Sequence, residues 1–195
     1  MRRRWTALTM ALVMVFFTGC IFEPRDPEKP GGGTPYPWVT PNAPKDVFLN
    51  LASGLAANVD SNYELSLESA SFTFVPTDQD ALNLGPEKFA NWTKTVEVEW
   101  LRTVKTRYAG TRTIQFGDKN GSFAYENVEV GKATYEGDYV MTLNTGGGGA
   151  DEVYAGIARF TIVQGSTGWV MTEWRDLQAS GENPTSGYLR GTLRQ

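Results

Sequence analysis

Residues 132–177 read KATYEGDYVMTLNTGGGGADEVYAGIARFTIVQGSTGWVMTEWRDL, three stretches of alternating apolar and polar residues parted by two glycine turns. Side chains on a strand point to opposite faces in turn, so alternation marks a half-buried sheet. In Lys132 to Asn144, Ala133, Tyr135, Tyr139, Met141 and Leu143 share one face, while Lys132, Thr134, Glu136 and Asp138 largely share the other. Gly146 to Gly149 turns the chain into Glu152–Gln164, where Tyr154, Ala158, Phe160 and Ile162 line up. Gly165-Ser166-Thr167-Gly168 turns it again into Trp169–Leu177. Upstream, Thr111 to Phe116 and Ser122 to Glu126 flank Asp118-Lys119-Asn120-Gly121, and the Asn-Gly pair predicts a hairpin between them.

What precedes the sheet reads as helix. In residues 44–59, PKDVFLNLASGLAANV, Val47, Leu51 and Leu55 recur every four residues with Phe48 and Ala52 beside them, making one apolar stripe. Pro44 falls in the first turn, where its missing N–H costs nothing. Ser61 and Glu64 have capping-box spacing and predict a short second helix through Leu67. Ser71 to Val75 reads as a strand stopped by Pro76, with a polar loop after it. From Pro86 to about Tyr108, the residues Phe89, Trp92, Val96, Trp100 and Val104 fit one helical face, although Val96, Val98 and Trp100 also alternate with Glu97 and Glu99. Length favours helix, since strands rarely exceed about ten residues. Helices followed by an antiparallel meander give an α+β class, with the helices packed on one side of a strongly curved antiparallel sheet.

The chain opens MRRRWTALTMALVMVFFTGC: a basic head, then an apolar run from Trp5 to Phe17 that is too short to span a bilayer. A membrane-spanning anchor would need about twenty apolar residues, and Glu23, Arg25 and Asp26 come too soon. The pattern resembles the signal peptide and lipobox of a bacterial lipoprotein. That resemblance implies removal of residues 1–19 and acylation of Cys20, the single cysteine of the chain. Each buried methylene adds roughly 0.8 kcal/mol of membrane affinity, so several acyl chains would hold the protein. The expected location is the bacterial cell envelope, and Ile21 after the cysteine turns the expectation toward an outer membrane. Residues 20–44, with seven prolines and Gly31-Gly32-Gly33, read as a tether. Residues 45–195 form the domain, long enough to bury about 70% of its unfolded surface in one core.

Removing Arg2, Arg3 and Arg4 leaves 15 basic residues against 22 acidic ones, a charge of −7. Such a chain suits no nucleic acid, whose phosphates need Lys and Arg. Histidine is absent, which excludes His acid–base chemistry, Ser-His-Asp and Cys-His nucleophiles, and His metal ligation. No cofactor is expected.

Residues 45–195 resemble the nuclear transport factor 2-like superfamily, which includes ketosteroid isomerase-like and polyketide cyclase-like domains. The likeness rests on KDVFLNLASGLAANVDSNYELSL running into SFTFVP, on Trp169, Met171, Trp174 and Asp176 in a W-x-M-x-x-W-x-D arrangement, and on Gly187-Tyr188-Leu189-Arg190 after it. It implies a sheet folded round a long helix into a cone, open at one end and lined by apolar and aromatic side chains. Such a cone suits a small apolar ligand, although fold alone does not choose between a pocket and a filled core.

Seven aromatics are the candidate lining of that cone: Phe89, Trp92, Trp100, Tyr139, Phe160, Trp169 and Trp174. Core burial outweighs ligand stacking as their reading, because periodicity asks only for burial. The carboxylates have bland readings. Glu136 and Asp138 share a polar sheet face, Glu173 suits an ion pair with Arg159 or Arg175, and Asp78 with Asp80 lacks the further oxygens a cation needs. No catalytic residue and no metal ligand is assigned. The leading expectation is a lipid-anchored, non-catalytic domain that binds a small apolar ligand or a protein partner. The alternatives are an isomerase or cyclase working with a carboxylate and a Tyr, and a structural protein that forms a homodimer through its sheet.

Overall fold

The alternating stretches are the three long strands of the sheet, β4 (Lys132–Asn144), β5 (Asp151–Gly165) and β6 (Gly168–Ala179). The computed structural model describes residues 37–57 and 59–194, so the leader, Cys20 and most of the tether lie outside the described residues. Ahead of these strands come α1 (Asp46–Ala56), α2 (Ser61–Leu65), β1 (Thr73–Val75), α3 (Asp78–Leu84), a 3-10 turn at Pro86–Lys88, α4 (Lys94–Arg107), β2 (Arg112–Phe116) and β3 (Tyr125–Glu129). Helix α5 (Ser186–Leu193) follows β6. The sheet order is β1-β6-β5-β4-β2, with β3 also on β4. All pairs are antiparallel except β1 with β6. This is the expected α+β cone, with helices against the concave face of a curved sheet.

The inward residues of β4 and β5 are those the alternation named. Strand β6 breaks the rule of two: Trp169 and Met171 face inward, and so do Trp174 and Asp176. The parity changes because Thr161 pairs with Glu173 while Ile162 pairs with Met171, which leaves Thr172 as an extra residue. A bulge of one residue flips everything beyond it to the other face. The two-residue gap in W-x-M-x-x-W-x-D is therefore the bulge.

Four local expectations are corrected. Strands β2 and β3 do not form a hairpin: β2 pairs with Tyr139 to Leu143 of β4 and β3 with Lys132 to Glu136, so they share one lane, joined by the excursion 117–124. Asp118 shapes that excursion by accepting from the Asn120 and Ser122 N–H groups. The polar segment after Pro76 is a helix, started by Thr77, whose hydroxyl accepts from the Asp80 N–H. The long helix does not begin at Pro86, because Asn91 adopts a φ of 55° that no helix continues through. No side-chain capping box starts α2, whose first backbone bond runs from the Glu64 N–H to the Asp60 carbonyl.

The end of the proline-rich segment is fastened to the domain. Buried Asn50 accepts from the Val39 N–H at 2.9 Å and donates to the Val39 carbonyl at 2.7 Å, and the Trp169 N–H donates to the Pro41 carbonyl. Among the described residues, no helix is long and apolar enough to cross a membrane.

Candidate functional site

Helix α4 turns Glu97 inward, because Trp100, Leu101 and Val104 follow it at helical spacings of three, four and seven. Arg190 of α5 meets it, with Nη2 at 2.6 Å from Oε1 and Nε at 3.0 Å from Oε2. Tyr63 of α2 donates to Oε1 at 2.7 Å, and Trp92 Nε1 donates to Oε2 at 2.6 Å. A carboxylate offers about four acceptor positions, and four donors occupy them. The guanidinium lies among Phe74, Trp100 and Trp174, 4.2 to 4.4 Å from their ring centres. Burial and the neighbouring Glu97 charge hold the Tyr63 phenol well above its usual range. Arg190 Nη1 and Trp100 Nε1 are buried donors without an acceptor among the described residues.

A second buried carboxylate, Asp176, sits past the bulge of β6. Its Oδ1 accepts from Trp174 Nε1, and its Oδ2 accepts from the Ser186 hydroxyl and the Gly187 N–H at the start of α5. Burial raises the Asp176 carboxyl above its ordinary value, against the opposing pull of Arg190 and of these donors. The Tyr139 hydroxyl accepts from the Ser186 N–H at 2.8 Å; burial, then the Asp176 charge, keep that phenol well above the usual range. Asp80 is buried close by and accepts from the hydroxyls of Thr77 and Thr185. Gly187 admits this assembly, since a Cβ there would stand 3.0 Å from Asp80 Oδ2 and 3.3 Å from Asp176 Oδ2. Over it lies a polar groove of about 710 Å³ between α3, the end of β6 and residues 181–185.

The seven aromatics named from the sequence are buried, each at most 8% exposed. Phe89 and Trp92 pack with Phe74, and Trp174 contacts Phe74, Tyr139 and Phe160. Trp92 and Trp100 also form the wall of a groove of about 360 Å³ beside Leu193 and Arg194. Trp169 lies at the opposite end of β6 from Asp176, beside the docked Pro41. The rings thus fill much of the cone with one another. Glu173 pairs with Arg175 and Glu136 with Arg159 on the outer face. Sequence reasoning did not single out Glu97, Asp80 or Arg190 as interior residues. The signal for Glu97 was its place in the apolar stripe of α4.

No protein-family model matches the chain, and no curated protein matches it. Solved structures do. A protein of nuclear transport factor 2-like type with a cystatin-like fold, from Novosphingobium aromaticivorans, is 13% identical, with 77% of this chain and 86% of that chain covered and a TM-score of 0.52. A second chain from that organism, provisionally named an aromatic ring hydroxylase, is 14% identical, with 70% and 87% covered and a TM-score of 0.53. A cystatin-like protein of unknown function from Nostoc punctiforme is 10% identical, with 72% and 90% covered and a TM-score of 0.50. Likeness at such identities speaks for architecture and not for chemistry. The described domain has the fold of the nuclear transport factor 2-like proteins.

Proposed function

We propose that this chain is a bacterial envelope lipoprotein, held by acyl groups on Cys20, whose cone domain binds without catalysing. The saturation of Glu97 supports the non-catalytic reading. A general base needs an open acceptor position within reach of the proton it takes, and Arg190, Tyr63 and Trp92 occupy all of those of Glu97. Asp176 takes three donors, from Trp174, Ser186 and Gly187. On this reading recognition takes place at the grooves round the cone, a view supported by the mutual packing of the aromatics. The partner is a small apolar ligand or a protein of the envelope. A homodimer through the sheet draws less support, because the outer face carries the Glu136–Arg159 and Glu173–Arg175 ion pairs.

The test is expression of the full chain with its leader in a bacterial host, followed by fractionation and intact mass measurement. The expected result is membrane-bound protein that begins at an acylated Cys20, and release of the Cys20→Ala variant from the membrane. Soluble protein without acyl mass overturns the anchor. Turnover of a steroid-like enone that disappears in Glu97→Gln overturns the non-catalytic reading.

A further inference from the structure

The excursion between β2 and β3 carries one large apolar side chain inward. Phe123 places its ring 4.9 Å from Phe48, 5.0 Å from Tyr135 and 6.1 Å from Phe160, centre to centre. Strand β4 leaves room for it at Gly137, where a Cβ would come within 3.2 Å of Phe123 Cδ1 and 3.3 Å of the Ala124 nitrogen. The Lys45 ammonium stands 6.0 Å from the Phe123 ring centre and 5.8 Å from that of Tyr135.

Beside the ring the cone is open. A groove of about 370 Å³ runs between α1 and β2, lined by Lys45, Phe48, Leu49, Ile114, Phe116 and Phe123 among others. Most of these are apolar, and Leu49 is 58% exposed. Pockets for small ligands begin near 300 Å³, and both Phe48 and Phe123 line this groove.

The excursion is held together by bonds of its own. Asp118 and Ser122 bond to each other through the backbone, the Gly121 N–H donates to the Asp118 carbonyl, and the Asp118 carboxylate takes the Asn120 and Ser122 N–H groups. Its hydrogen bonds to the sheet run from the Gly117 N–H to the Asp138 carbonyl and from the Gln115 amide to the Asp118 carbonyl at its start, and from the Phe123 N–H to Glu126 Oε1 at 3.5 Å at its end. Lifting residues 118–123 would leave the internal bonds made.

We propose that the mouth of the cone between α1 and β2 receives a flat, uncharged aromatic molecule in the place that Phe123 fills, and that the excursion 117–124 is its gate. The chemistry of the seat defines the occupant. Two aromatic walls, Phe48 and Tyr135, flank the ring of Phe123, and the Lys45 ammonium over that ring and over Tyr135 favours a π face. Lys45 is already paired with Glu126 at 2.7 Å, so an acidic substituent would meet a neutralised ammonium and a carboxylate. The proposal rests on the binding reading above and names the ligand class for it.

The probe is indole, titrated into the full chain in detergent against a micelle blank, with affinity from calorimetry and location from NMR shifts. Phe123→Ala is expected to bind at least tenfold more tightly than wild type, because no ring has to leave first, with shifts centred on Phe48, Ile114 and Tyr135. Phe123→Trp, which fills the seat more fully, is expected to bind more weakly than wild type. Equal affinity in the three proteins, or shifts that map elsewhere, overturns the gate. If Phe123→Ala does not fold, Phe123→Leu vacates the flat ring while keeping an apolar anchor and carries the same comparison. Absence of acyl mass on Cys20 would leave the tenfold difference standing, and loss of that difference would leave the anchor standing.

Discussion

Arg190 grips both oxygens of Glu97 while both side chains are fully excluded from solvent, a two-pronged ion pair between α5 and α4. Burial by itself would make the guanidinium easier to deprotonate, and the contact with Glu97 outweighs it and raises the Arg190 pKa. Removing one partner strands a charge in the core, at a cost of about 3–5 kcal/mol. Arg190→Met and Glu97→Gln are each expected to lose that much in urea unfolding. The double variant is expected to lose much less than their sum, since it leaves no buried charge. Additive losses would show that the two side chains act independently.

Helices α1 and α2 cross at a glycine. A Cβ on Gly54 would lie 2.5 Å from the Tyr63 nitrogen and 2.6 Å from Tyr63 Cβ, so backbone has to shift. Gly54→Ala is expected to destabilise by about 1–3 kcal/mol in spite of the better helix propensity of Ala. Thermal unfolding at matched conditions measures it; a stabilised variant would refute the close crossing.

The bulge at Thr172 supports a prediction by residue count. Deleting Thr172 removes the bulge and restores strict alternation, with Trp169, Met171, Trp174 and Asp176 all kept on the inner face. The expected outcome is retention of cooperative unfolding and of near-ultraviolet dichroism, and their loss would show that Thr172 is not the extra residue. Thr172→Val keeps the count and gives up one hydrogen bond, from its hydroxyl to the Thr161 carbonyl at 3.2 Å. Its expected cost is about 1 kcal/mol.

Asp60 joins the start of α2 to α4 through Lys105 at 2.9 Å and Arg102 at 3.0 Å. Partial burial would raise its carboxyl, but the hydrogen bonds from Lys105 and Arg102 win and hold it below its ordinary value. A carboxyl lowered on folding binds its proton more readily in the unfolded chain, so its contribution is present above the unfolded value and is lost as pH falls through the folded one. For a pair this exposed the contribution is about 0.5–1 kcal/mol. Wild type and Asp60→Asn, compared in urea at falling pH, are expected to differ near neutrality and to converge in acid. A difference that grows in acid would contradict the sign.

The long strands were legible because one face of each is buried, and alternation records that directly in Tyr135, Tyr139, Phe160 and Ile162. Burial of the seven aromatics was legible for the same reason. Helix α3 was not, since Asp78, Gln79, Asp80 and Asn83 give it a loop-like composition; its cap at Thr77 was the local clue. Helix α5 was hidden by Gly187 and Gly191. Both are there for close approach, Gly191 within 2.7 Å of Phe89 and Leu84 for any added Cβ. Glu97 was missed because a carboxylate beside Glu99 reads as a wet helix face. Its countercharge lies 93 residues further on, beyond the reach of any spacing rule. The Asn120-Gly121 turn was read correctly as a turn, but which strands it serves is decided by β4, long enough to pair with β2 and β3 in succession.

The parallel pairing of β1 with β6 sets an order of events during synthesis. Thr73 to Val75 bond beside Glu173 to Arg175, and Leu67 bridges Met171, so the first strand made has its neighbour among the last. A contact spanning about a hundred residues is slow to close. Until β6 has left the ribosome, Phe72 and Phe74 have no sheet to settle on, and the growing chain must carry them as exposed, sticky freight.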